Sequence, residues 1–213
     1  MATSVAYPSR LRTPWSTAAE SMRALARGEL IILRHGSRLV LVGCAGTITT
    51  EQMAFVIRYS TGFVQVALHE RECDRLGLPE AVPSSRTPSA QAYGQCVAVD
   101  ASVGVTTGIS GADRALTARA LADPHSNVDD LRRPGHLVPV RVNPHVLCER
   151  RTVAACALAL TELARPEFSG AVFADLDGIN DPTNTAGPRD AEALAYRYDL
   201  TLVAPDKHQE SSY

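Results

Sequence analysis

The sequence predicts a mixed α/β (α+β) single domain, and three observations predict it. Short apolar runs and Ala-rich amphipathic segments alternate along the whole chain, so strands and helices intermingle. A chain of 213 residues is of single-domain length. Hydrophobic residues make up 45% of it and aromatics only 5%, so a sizeable core is available, built from Ala, Val and Leu rather than from rings.

The elements follow in order. Ser16 or Thr17 after Pro14 starts a helix over Ala18 to Ala26, with Met22 and Leu25 at i, i+3 and Gly28 closing it. Leu30 to Leu33 reads as a buried strand, Arg34 to Arg38 as a polar turn, and Leu39 to Val42 as a second strand, the two forming a hairpin. Thr49 or Thr50 caps a helix over Glu51 to Ser60 that ends at Thr61-Gly62. Phe63 to Leu68 is a strand, His69 to Leu76 a short polar helix, and Pro79 to Ser89 a Pro- and Ser-rich loop. A strand is centred on Ala98 to Asp100. Gly104 to Gly108 is a turn, and Ser110 caps a helix over Ala112 to Ala122. Arg132 to His136 reads as a turn into a strand over Leu137 to Val142. Arg151 to Ala164 is a strongly apolar helix, Ala171 to Leu176 a strand, and Asp177 to Arg189 a loop. Asp190 to Tyr198 is a helix and Leu200 to Val203 a last strand. The domain is expected over residues 14–204, between a flexible lead-in (1–13) and a frayed tail (205–213).

Composition narrows the function. Net charge is −2 and the basic residues are scattered, so neither nucleic acid nor an anionic membrane is the expected partner. No apolar run approaches the length of a transmembrane helix, and Met1 to Thr13 lacks the apolar core of a signal peptide. The five cysteines, Cys44, Cys73, Cys96, Cys148 and Cys156, include no CxxC pair. A disulfide framework and a structural zinc site are therefore not expected, which suits a cytoplasmic protein.

Two stretches carry a family resemblance: Gly104-Val105-Thr106-Thr107-Gly108-Ile109-Ser110-Gly111-Ala112-Asp113-Arg114 and Leu131-Arg132-Arg133-Pro134-Gly135-His136-Leu137-Val138-Pro139. Their order and separation, with weaker matches at Thr49 to Met53, Ile57-Arg58, Gly62, Leu76 to Pro79 and Ala92 to Gly94, resemble the 3,4-dihydroxy-2-butanone 4-phosphate (DHBP) synthase family over roughly Ala18 to Val203. The resemblance implies a DHBP synthase-like mixed sheet with packed helices, a homodimer, and an active site near the subunit interface. It also implies conversion of ribulose 5-phosphate to the butanone phosphate and formate, with a divalent ion, usually magnesium, stabilising the enediolate.

The sequence departs from the family pattern where that ion would bind. The family's acidic loop, of the type DDEDRENEGD, corresponds to Arg34-His35-Gly36-Ser37-Arg38, which has no carboxylate. The RGGHTEA segment, whose His is a metal ligand, corresponds to Glu149-Arg150-Arg151-Thr152-Val153-Ala154, and a later catalytic Glu to Asp175. A hard divalent cation wants several oxygen ligands and carboxylate charge. Guanidinium groups in their place cost on the order of several kcal/mol at moderate dielectric. No metal cofactor is therefore expected.

Each candidate residue has a functional and a plain reading. Thr106, Thr107 and Asp113 match substrate-proximal positions, with Asp113 a proton carrier, or they cap the helix that begins near Ser110. His136 is an acid or base, or it orients its loop. Arg150, Arg151 and Thr152 form an anion site at a helix start, or a solvated helix end. Arg133 and Tyr93 are taken as substrate-binding from the matching segments. His35 is a new base or a surface turn residue. Asp175 is a proton carrier or a strand-end residue. Cys44 and Cys148 are nucleophiles only if a neighbouring cation lowers their pKa, and otherwise small buried hydrophobes. The leading expectation is a repurposed, metal-independent enzyme of specialised metabolism. It would carry out dehydration, isomerisation or cyclisation on a small polar substrate, phosphorylated or carboxylated. A catalytically dead binding or scaffold homologue and a true DHBP synthase are the alternatives.

Overall fold

The computed structural model describes residues 15–82, 94–143, 145, 152–178, 181 and 183–204. The expectations for 1–13, 205–213, Tyr93, Cys148, Arg150 and Arg151 lie outside the described residues. Seven strands form one mixed sheet: β1 (Ile31–His35), β2 (Arg38–Cys44), β3 (Gln65–His69), β4 (Val99–Ala101), β5 (Leu131–Val142), β6 (Ala171–Asp175) and β7 (Thr201–Val203), in the order β4-β5-β3-β6-β2-β1-β7. β1 and β7 pair in parallel, as do β3 and β5; the other neighbours are antiparallel.

Helices cover both faces, which is why the central strands are apolar on both sides instead of alternating. On one face, Leu30, Ile32, Leu41, Val66, Leu68, Val172 and Ala174 pack against α2 (Thr50–Tyr59), α4 (Gly111–Ala122) and α6 (Pro188–Tyr198). On the other, Ile31, Leu33, Val40, Val42, Ala67, Ala171 and Phe173 pack against α1 (Ala18–Ala26) and α5 (Val153–Ala164). A short α3 (Glu70–Arg75) follows β3.

The helix starts are built from local chemistry. Thr17 and Thr49 form reciprocal capping boxes with Glu20 and Gln52, and the Ser110 and Thr152 hydroxyls accept from the third helical N–H of α4 and α5. One expectation needs correction. Arg132 to His136 is no turn before a strand but part of β5, which starts at Leu131. Asp100 pairs with Arg132 and Val99 with Leu137, so residues 133–136 bulge out of the ladder between them. Gly135 makes this possible: a Cβ there would lie 2.0 Å from the Val99 carbonyl carbon, and its N–H donates to Ala98 O at 2.9 Å.

Candidate active site

Beside the N-terminus of α5 lies a cleft of about 210 Å³, lined by Arg38, Phe63, Gln65, Gln95, Thr152 and Asp175 among others. Asp175 ends β6 and Arg38 begins β2, and the β2–β6 register brings the two strand ends together. The Arg38 guanidinium grips the carboxylate bidentately, Nε donating to Oδ1 at 2.9 Å and Nη2 to Oδ2 at 2.7 Å. His35 sits opposite Arg38 in the β1–β2 hairpin, at the cleft's margin rather than among its lining side chains. Thr152 closes the other side as the N-cap of α5, its hydroxyl accepting from Ala155 N at 3.1 Å. A helix N-terminus therefore borders the cleft.

A second group of predicted residues sits at the β4–β5 end of the sheet. His136 donates its backbone N–H to Asp100 Oδ1 at 3.0 Å, and its Nδ1 lies 2.9 Å from Asp100 Oδ2. Gly108 packs against this pair so closely that a Cβ would lie 2.1 Å from Asp100 Oδ2 and 2.5 Å from His136 Nδ1. His136 sits in the bulge of β5, beside Asp100, and is not among the residues lining the cleft. The register Val138–Gln65–Phe173 places Asp175 toward the end of the sheet from which the bulge leaves β5.

Asp113 is bonded within the neighbouring turn. Its carboxylate accepts from Thr106 N (3.0 Å), Thr106 Oγ1 (2.8 Å) and Gly108 N (3.1 Å), and it is 3% exposed. The backbone and hydroxyl donors of Thr106 hold its carboxyl below the usual aspartate range. It fastens the Gly104–Gly108 turn and so sets where Gly108 meets His136, leaving Thr106 and Thr107 exposed. Arg133 turns away toward the end of α3, Nη2 donating to Leu76 O at 2.7 Å. Burial pushes the Cys44 thiol up to about 11, the behaviour of a small core residue.

Sequence reading missed Asp100 and the cleft glutamines Gln65 and Gln95. The available signal for Asp100 was a carboxylate inside an otherwise apolar strand, where an unpartnered charge would be costly.

Comparison with known proteins follows the same lines. The family model for 3,4-dihydroxy-2-butanone 4-phosphate synthase matches residues 19–207. The chain is 39% identical over 164 residues to the riboflavin biosynthesis protein RibBA of Nocardia farcinica, covering 77% of this chain and 39% of that protein. It is 36% identical over 167 residues to the 3,4-dihydroxy-2-butanone 4-phosphate synthase of Candida albicans, covering 75% and 81%. The chain thus spans 39% to 48% of the length of these RibBA relatives. A crystal structure of the Candida albicans synthase aligns with TM-score 0.80 at 30% identity, over 89% of this chain and 94% of that one. A synthase structure in complex with two magnesium ions aligns with TM-score 0.79 at 28% identity, over 89% and 93%.

Proposed function

The chain belongs to the 3,4-dihydroxy-2-butanone 4-phosphate synthase family, and on that premise we propose that its cleft performs acid–base chemistry on a small anionic, oxygen-rich substrate without a divalent ion. The observation that carries this is the bidentate Arg38–Asp175 pair. A magnesium ion needs several oxygen ligands with carboxylate charge. Among the described residues, the side chains lining the cleft offer one carboxylate, already neutralised by a guanidinium, beside two amides and a hydroxyl. That donor set does not fit the ion, and no step is routed through one.

The chain's own groups supply a different chemistry. The N-terminus of α5, with Thr152 as its cap, presents backbone N–H groups and a positive dipole end to a phosphate or carboxylate. Asp100 accepts from His136 Nδ1, an arrangement that assigns the proton to Nδ1 and leaves Nε2 to take a proton from carbon next to a carbonyl. The Asp175 carboxylate, oriented by Arg38, is the second site for proton exchange. A base and an acid are the minimum for isomerisation or dehydration of a polyol phosphate. The exposed Phe63 at the cleft suits a second copy of the chain closing the site as a homodimer.

The experiment offers ribulose 5-phosphate and related sugar phosphates with magnesium or with a chelator, following formate release and substrate loss. Chelator-insensitive turnover without formate is expected. Magnesium-dependent formate would establish the second reading, a true synthase, which the alignment across 94% of the Candida albicans synthase favours. Thermal stabilisation by these ligands with no turnover would instead make the chain a binding homologue.

A further inference from the structure

A second cavity, of about 220 Å³, lies between the last turn of α2 and one side of α6. Its floor is Leu176, Ala186 and Leu194, all members of the core that packs against α2, α4 and α6, whereas Phe173 of the cleft belongs to the other core. The cavity is therefore across the sheet from the cleft, and what it holds is independent of the chemistry there. α6 faces it with Asp190, Ala193, Leu194 and Arg197, the i, i+3, i+4, i+7 stripe of one helix side.

The walls are aromatic. Only 5% of the chain is aromatic, yet Tyr59 and Tyr198 both line this cavity, their ring centroids 5.1 Å apart. Phe55 packs on both, at 4.6 and 5.0 Å. In a chain whose core is otherwise aliphatic, half-buried rings gathered at one cavity are a surface on which a further ring can pack.

The rim is a donor set. Arg58 and Arg197 are exposed, each over the ring of its chain neighbour, 5.5 Å from Tyr59 and 5.3 Å from Tyr198. Among the described residues neither guanidinium has a hydrogen-bond or ion-pair partner. The carboxylates of the lining accept from backbone instead, Asp177 Oδ1 from Gly178 N at 3.1 Å and Asp190 Oδ2 from Gly187 N at 2.8 Å. Asp190 is seven residues from Arg197, roughly 10 Å along the helix, so its charge does not cancel the guanidinium. The two phenols hydrogen-bond to one another. One phenol proton fills that bond, and the other has no acceptor among the described residues. The bond with Tyr198, and burial, hold the Tyr59 phenol above the usual tyrosine range, so both protons stay on at neutral pH.

We propose that this cavity binds a single-ring aromatic anion, a carboxylate or a phosphate monoester. The ring lies against Tyr59 and Tyr198, and Arg58, Arg197 and the spare phenol proton take the anionic group. The volume is below the roughly 300 Å³ at which pockets for drug-sized ligands begin, which limits the occupant to one ring. Asp177 and Asp190 are acceptors for a hydroxyl or amino group elsewhere on that ring.

The test titrates the isotope-labelled full chain with phenyl phosphate and with benzoate at fixed ionic strength, followed by NMR. Benzylamine and inorganic phosphate are the controls. Backbone resonances of Tyr59, Gly178, Ala186 and Tyr198 should shift saturably with at least one of the aromatic anions, and the tighter of the two identifies the anionic group. Resonances of Gln65, Gln95 and Thr152 report the cleft separately. Inorganic phosphate should bind the cavity at least about tenfold more weakly than the aromatic anion, and benzylamine should leave its resonances in place. Arg58→Gln combined with Arg197→Gln keeps both rings and should weaken binding at least about tenfold. The proposal is overturned if neither aromatic anion shifts the cavity resonances saturably up to about 10 mM. It is equally overturned if benzylamine or inorganic phosphate binds there as tightly, or if the double variant keeps wild-type affinity. The wild-type titrations decide this even if the double variant does not fold.

Discussion

Replacing Arg38 with methionine removes the guanidinium but keeps most of the stem, so it isolates the interaction with Asp175. Two unit charges about 4 Å apart at an effective dielectric near 20 attract by about 4 kcal/mol. The side chains of this pair are 40% and 25% exposed, so water screens them and ordering both costs entropy. The bidentate geometry recovers part of that loss, for a net contribution of about 1 to 1.5 kcal/mol. Urea unfolding of wild type, Arg38→Met, Asp175→Asn and the double variant forms a double-mutant cycle that reads this coupling directly. Raising the salt to about 1 M should shrink it without abolishing it, because the pair is only partly open to solvent. A coupling below about 0.3 kcal/mol would mean that the carboxylate does not depend on Arg38, and the case against a cation at that carboxylate would lose its basis.

Gly108→Ala places a Cβ 2.1 Å from Asp100 Oδ2 at a backbone φ of +84°. It should cost at least about 2 kcal/mol in unfolding free energy and displace the His136 ring, seen as a shifted imidazole resonance by NMR. Thr152→Ala should cost about 1 kcal/mol as a lost N-cap, and thermal shift should show weaker stabilisation by sugar phosphates than in wild type. Asp113 has a folded pKa below its ordinary value of 3.8. Its contribution is therefore present in full above that value and lost as pH falls through the lower folded one. Asp113→Asn should flatten the acid limb of a stability–pH profile and leave the neutral-to-basic limb with its wild-type slope.

Local chemistry made much of the fold legible. Thr17, Thr49 and Ser110 announce their helices to within a residue, because a cap and the N–H that donates to it lie three positions apart. The β1–β2 hairpin is equally local. Beyond that range the sequence is silent. Pro134 and Gly135 carry the same turn signal whether they end a loop or swell a strand, and only the approach of Val99 decides between them. The family resemblance pointed to His136 and Asp175, yet their partners, Asp100 and Arg38, come from strands 36 and 137 positions away. No periodicity encodes pairings of that span. Asp113 was readable as a helix-start residue or a proton carrier, and its three donors within the Gly104–Gly108 turn favour the former.

Titration of magnesium into the purified chain by calorimetry, with ribulose 5-phosphate present and absent, tests the metal-independent cleft most directly. No saturable heat should appear up to millimolar magnesium, in wild type or in Asp175→Asn. Stoichiometric binding to wild type that disappears in Asp175→Asn would put the ion on the carboxylate assigned here to Arg38, and would contradict the account.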